Sequence, residues 1–183
     1  MRLTLKATFL TCALAIFFAG CSRGPDGGIG ARPGGWPPSS ASAPAEVSSS
    51  AQVVKVSVSP VEIAQAGSAD AIVTLSISPG YHVNANPATF PYLIATEITT
   101  GKSDGIIVGK ASYPKAAKQK FQFAEEPLAV YEGDAQIKLS LRADSKTSAG
   151  SRSLPISVRV QACDNEKCFP PANLDATIPV EVK

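Results

Sequence analysis

Residues 51–183 are predicted to form an all-β domain, an antiparallel sandwich of immunoglobulin-like type. Three observations carry this. Apolar residues alternate with polar ones at a period of two in five separate stretches, turn-forming residues divide those stretches, and no window sustains a 3.6-residue period. A chain of 183 residues is long enough for one such domain and additional sequence.

The strands follow in order. Val54, Val56 and Val58 alternate with Lys55 and Ser57; Val73, Leu75 and Ile77 alternate with Thr74 and Ser76. Ile137, Leu139 and Leu141 alternate with Lys138 and Ser140. Ile156, Val158 and Val160 enclose Ser157 and Arg159, and Ile178, Val180 and Val182 enclose Pro179 and Glu181. Each is a half-buried strand presenting one apolar face. Shorter candidates are Tyr81–Val83, Tyr92–Ile98 and Ile106–Lys110, giving roughly seven to nine strands in all. Ser78-Pro79-Gly80, Thr100-Gly101, Glu132-Gly133-Asp134 and Ala149-Gly150 supply the turns. Pro179 lacks an amide proton and requires an edge or bulge position. There is no internal repeat.

Ahead of this domain the sequence changes character twice. Arg2 and Lys6 precede an apolar run from Ala7 to Phe18, which suits an export signal and is short for a membrane span. The run closes on Ala19-Gly20-Cys21, similar to a bacterial lipobox, in which the cysteine is acylated and becomes the new N-terminus. Ordinary signal cleavage nearby is the alternative. Residues 1–20 are therefore assigned as signal peptide, which takes Cys12 with it. Residues 21–50 are assigned as lipidated Cys21 and a flexible tether. Of the 29 residues from 22 to 50, 22 are Gly, Pro, Ser or Ala, so the segment has little apolar surface to offset its ordering entropy. As a coil it reaches on the order of 30 Å. Trp36 is its one aromatic. After the signal, no apolar stretch approaches the length of a span, so membrane attachment is expected through lipid alone. Ser22 after the acylated cysteine favours the outer membrane.

Charge and composition exclude several functions. Residues 51–183 carry 13 basic and 13 acidic residues. A neutral body has no electrostatic footprint for nucleic acid. One histidine, His82, excludes a multi-histidine metal site. No Gly-x-Ser-x-Gly elbow supports hydrolase chemistry. His82 reads as a structural residue hydrogen-bonded at a strand end, although its pKa near neutrality would let it tune a neighbour. Glu125-Glu126, beside Pro127, read as an exposed loop, and Lys115, Lys118 and Lys120 as a solvated one.

With Cys12 removed and Cys21 acylated, Cys163 and Cys168 remain in an oxidising compartment. A strand carries Cys163 to its end, four polar residues turn the chain, Cys168 begins the return, and Pro170-Pro171 stop the ladder. So short a connection brings two Cα atoms within the roughly 4.4–6.8 Å that a disulfide needs. Closing so small a ring is worth only about 2 kcal/mol. A bridge meant for stability gains more by joining distant strands, so this one suits opening and closing; a static hairpin staple is the competing reading. Asp164 and Glu166 disfavour a thiolate and Lys167 favours it. Two sulfurs with neither a second cysteine pair nor a nearby histidine leave zinc short of ligands.

The segment Gln161-Ala162-Cys163-Asp164-Asn165-Glu166-Lys167-Cys168-Phe169-Pro170-Pro171 resembles the active-site segment of the N-terminal periplasmic domain of the DsbD thiol:disulfide interchange family. Gly80-Tyr81-His82-Val83-Asn84-Ala85-Asn86-Pro87, then Phe121-Gln122-Phe123 with Leu128-Ala129-Val130-Tyr131-Glu132-Gly133, then Ile178-Pro179-Val180-Glu181-Val182 resemble further family blocks in the same order. The resemblance covers roughly residues 53–183. It implies an immunoglobulin-like fold with both cysteines at one end, and a dithiol that exchanges electrons with periplasmic thioredoxin-like or disulfide-isomerase-like proteins. It matches Cys168 to the cysteine that forms mixed disulfides and Cys163 to its resolving mate. It implies an aromatic cap over the pair, for which Phe123 is the candidate, with Tyr131 and Phe169 as supporting aromatics. The spacing of the cysteines is one residue shorter than in the best-known member. A membrane-spanning electron importer is expected to act in trans, and the exchange itself needs no cofactor. The alternative from a different functional class is a non-enzymatic binding or adaptor lipoprotein whose disulfide only fixes a loop.

Overall fold

The computed structural model describes residues 46–183. The signal peptide, Cys21 and Trp36 lie outside the described residues, as does the tether up to residue 45. Twelve strands and one short 3-10 turn, Ser50–Gln52, make up the elements. The strands form three four-stranded sheets.

The first sheet has the order β1-β3-β9-β6, from β1 (Val54–Val58), β3 (Ser68–Ile77), β6 (Ile106–Ser112) and β9 (Asp134–Ala143). The second has the order β2-β12-β10-β5, from β2 (Val61–Ile63), β5 (Glu97–Thr100), β10 (Gly150–Val160) and β12 (Ala172–Val182). All pairings are antiparallel except β2 with β12. The five alternating stretches become β1, β3, β9, β10 and β12, and their inward residues, Val73, Leu75, Ile137, Leu139, Leu154, Ile156, Val158 and Ile178 among them, merge into one buried cluster. The fold is the expected all-β, immunoglobulin-like sandwich. Pro179 pairs with Ser153 of β10, and the β2 register begins one residue later at Val180↔Val61. The missing amide proton thus falls where β12 has a partner strand on one side only.

Twelve strands exceed the expected seven to nine. The extra ones are too short for a period to stand out: β2 and β7 (Ala117–Gln119) are three residues long, and β11 (Ala162–Cys163) is two. The expected strand at Tyr92–Ile98 begins only at Glu97, because Phe90 to Leu93 form a turn closed by Leu93 N–H donating to the Phe90 carbonyl (3.1 Å). Pro87 and Pro91 deny that segment ladder donors.

The third sheet, β11-β4-β8-β7, positions the site. It contains β4 (His82–Asn84) and β8 (Leu128–Tyr131), both buried along nearly their whole length. The two faces of this sheet serve different clusters. Ala162, Val83 and Tyr131, which lie opposite one another across β11, β4 and β8, belong to the main core. Leu128 and Val130, on the other face, join a satellite cluster with Phe121, flanked by Phe90, Leu93 and Ala124. A strand covered on both faces has no polar side to reveal its period, which is why β8 reads as a plain apolar run.

Candidate functional site

Cys163 ends β11 and faces His82 of β4 in antiparallel register. Cys163 and Cys168 face each other in an isolated antiparallel bridge and are joined by a disulfide, with Cα atoms 3.9 Å apart. The hairpin explains this closeness, which is tighter than the expected range. Asp164 N–H donates to the Lys167 carbonyl (2.9 Å), and Phe169 N–H donates to the Ala162 carbonyl (2.8 Å). Between those two bonds the cysteines occupy a non-hydrogen-bonded pair, the position where facing strands approach most closely, about 4.5 Å between Cα atoms.

The turn between the cysteines is built by Asp164. Its Oδ1 accepts from the backbone amides of Glu166 and Lys167, each at 2.8 Å. Desolvation pushes the Asp164 carboxyl upward, but those two amides, the Lys167 ammonium and His82 together hold it below its usual 3.8. The base of the hairpin is held by Ser50. Its hydroxyl donates to the Pro170 carbonyl (2.7 Å) and accepts from Ala162 N–H (2.9 Å), while its own amide donates to the same carbonyl (3.2 Å). Ser50, the last residue of the sequence-assigned tether, is completely buried. Gln161, just ahead of the pair, donates through Nε2 to the Phe169 carbonyl (3.4 Å) and accepts from Asn84 Nδ2 (3.4 Å).

Alternation divides the surrounding side chains between two faces. Ala162 and Phe169 turn toward the main core; Cys163 and Cys168 turn the other way. Cys163 is fully buried, Cys168 is partly exposed. On the cysteine face, the His82 ring stacks on Phe121 with centroids 3.9 Å apart, and Phe123 stacks on Phe121 at 5.4 Å. Phe121 is buried, and Phe123, 38 % exposed, forms the outer layer. The three rings are nearly parallel.

The sequence-selected residues therefore separate. Phe123 joins the aromatic layer over β4. Phe169 adjoins Cys168 but packs inward, its ring 5.8 Å from Tyr81, with Lys167 Nζ 5.6 Å from its centroid. Tyr131 lies on the opposite face of the sheet from the cysteines. Its hydroxyl accepts from Asn86 N–H (3.0 Å), and burial raises its pKa. It supports the loop after β4 rather than the sulfur pair.

His82 departs from expectation. It is buried, and its Nε2 has no hydrogen-bond partner. Burial lowers its pKa from 6.5 to about 4, against the opposing pull of Asp164. Sequence reasoning also missed Phe121 and Ser50. Phe121 and Phe123 lie in a turn, closed by Ala124 N–H donating to the Phe121 carbonyl (3.3 Å), so no strand period marked them, and nothing local marks Ser50. Glu125, Glu126, Lys115, Lys118 and Lys120 are all exposed, as expected. Among the described residues, no three His, Cys, Asp or Glu side chains converge into a metal site, and no helix is long and apolar enough to cross a membrane.

The site is thus a short hairpin disulfide on an all-β sandwich, with one cysteine enclosed and the other near the surface. The chain matches the family model for the N-terminal domain of the thiol:disulfide interchange protein DsbD over residues 50–178, and it belongs to that family. Among solved structures it is similar to the reduced DsbD N-terminal domain of Neisseria meningitidis, at 19 % identity and a TM-score of 0.42, covering 69 % of this chain and 82 % of that one. It is also similar to the N-terminal periplasmic domain of ScsB from Proteus mirabilis, at 14 % identity and a TM-score of 0.45, covering 69 % and 44 %. A third similar structure is the complex of the DsbD and PilB N-terminal domains from Neisseria meningitidis, at 17 % identity, 68 % and 80 % coverage and a TM-score of 0.40. No curated protein matches the chain.

Proposed function

We propose that this protein is a periplasmic, lipid-anchored thiol–disulfide exchange protein acting through Cys163 and Cys168. The observation that carries the reading is the unequal exposure of the two bonded cysteines in a member of the DsbD N-terminal family.

In the reduced state the Cys168 thiolate attacks a partner's disulfide sulfur. One partner sulfur leaves as a thiolate, and a mixed disulfide joins Cys168 to the other. The Cys163 thiolate then attacks Cys168, re-forms the Cys163–Cys168 bond and releases the second partner sulfur. Two electrons pass to the partner, and two protons leave the dithiol. The buried cysteine is suited to the second attack because only Cys168 is within its reach. No bound cofactor takes part. The partners are thioredoxin-like or disulfide-isomerase-like proteins, and a membrane electron importer acting in trans restores the dithiol. Acylation at Cys21, with residues 21–50 as tether, keeps the domain at the periplasmic face of a bacterial membrane, the outer membrane by preference.

The test is trapping. Cys163→Ala leaves a mixed disulfide on Cys168 unresolved, so periplasmic extracts of the producing cell should yield disulfide-linked adducts with thioredoxin-like proteins. Cys168→Ala should yield none. Equal, negligible capture by both variants would contradict the proposal and favour a structural staple.

A further inference from the structure

We infer that His82 is the proton acceptor for Cys163 in the ring-closing step, an inference that rests on the exchange reading above. Three features of the structure point to it. His82 and Cys163 are register partners on antiparallel strands, so their side chains share a face, with Cβ atoms about 4.5–5.5 Å apart. The imidazole is buried, yet its Nε2 has no hydrogen-bond partner, an arrangement that costs stability in the disulfide form and leaves the nitrogen free to act in another state of the protein. Phe121 stacks on one side of the ring and, with Phe123 beyond it, keeps water away.

In the disulfide form Cys163 has no proton to give, and the nitrogen is idle. In the mixed-disulfide form Cys163 is a buried thiol, and burial alone would keep it protonated and unreactive. The thiol proton moves to His82 Nε2 as the Cys163 sulfur attacks Cys168. The Cys168–partner bond breaks, and its electron pair leaves with the partner sulfur. The imidazolium then returns the proton to that sulfur or, when the leaving thiol is acidic, to water. Asp164, one residue beyond Cys163, is the charged group that acts on the ring, and it favours the transient imidazolium. Phe121 and Phe123 contribute no charge. Burial keeps the ring neutral above about pH 4, so the acceptor is available throughout the working range.

The experiment follows the reduced chain reacting with dithiobis-nitrobenzoate by stopped flow. The first release of thionitrobenzoate reports attack by Cys168, and the second reports displacement by Cys163. His82→Phe keeps the ring stack and removes both nitrogens. We expect it to slow the second release at neutral pH by about 100-fold, the low end for general-base catalysis, and to leave the first within about twofold. The pH profile separates this role from a structural one. The second release should stay flat between about pH 5 and 8 in the intact chain and rise about tenfold per unit in the variant, following the thiolate fraction. Where His82→Phe misfolds, His82→Gln must show the same loss of the flat profile. Equal second-phase rates and slopes in intact and substituted chains would overturn the inference and leave the exchange function standing. Absence of any second release from the intact chain would overturn both.

Discussion

Cys163 is completely enclosed, whereas Cys168, bonded to it across the hairpin, is partly exposed. The asymmetry follows from position. Cys163 sits on β11 between β4 and the returning segment, while Cys168 lies on that outer segment, whose ladder ends at Pro170-Pro171. After reduction, iodoacetamide should modify Cys168 at least about tenfold faster than Cys163, since thiol reactivity follows access and thiolate content. Peptide mapping of a partial alkylation checks this.

The aromatic layer should govern how readily the disulfide is reached. Phe123→Ala removes a half-exposed ring and should cost little stability while raising the rate of reduction by a small thiol. Phe121→Ala empties a buried site and should cost about 3–5 kcal/mol. Denaturant melts paired with reduction kinetics distinguish the two, and equal kinetics in Phe123→Ala and the unsubstituted protein would remove Phe123 from the cover.

Ser50 ties the start of the folded domain to the hairpin. Ser50→Ala leaves the Ala162 amide without its acceptor in a buried place. The expected loss is about 1–3 kcal/mol. Thermal melting measures it, and the effect should be larger than that of Ser49→Ala at the exposed neighbouring cap.

Asp164 predicts an acid limit for the hairpin turn. Its folded pKa is depressed, so its contribution is present above the unfolded value near 3.8 and is lost as pH falls through the lower folded value. Amide exchange at Glu166 and Lys167 should be protected at neutral pH and accelerate, relative to other hairpin amides, below about pH 4. Asp164→Ala should lack that step.

The sandwich and the cysteine hairpin were legible in the sequence because β3, β9, β10 and β12 each bury one face, and because two cysteines with four residues between them, followed by Phe169 and two prolines, permit few shapes. The third sheet was not. His82, Val83 and Asn84 are covered on both sides, so period-two reasoning finds no outer face, and the cover comes from Phe121, almost forty residues away in the chain. His82 was misread for the same reason: a strand-end histidine normally finds a partner, and only the tertiary arrangement shows Nε2 without one. The face that Tyr131 occupies was likewise not legible, because a register on β8 cannot be read from four residues without alternation.

The most direct measurement is the reduction potential of the Cys163–Cys168 pair, obtained by equilibrating the protein with redox buffers of known potential and quantifying free thiols. Exchange chemistry predicts a value between roughly −270 and −180 mV, poised with thioredoxin-like proteins. A value well below about −300 mV would mark the bond as a structural staple and contradict the account.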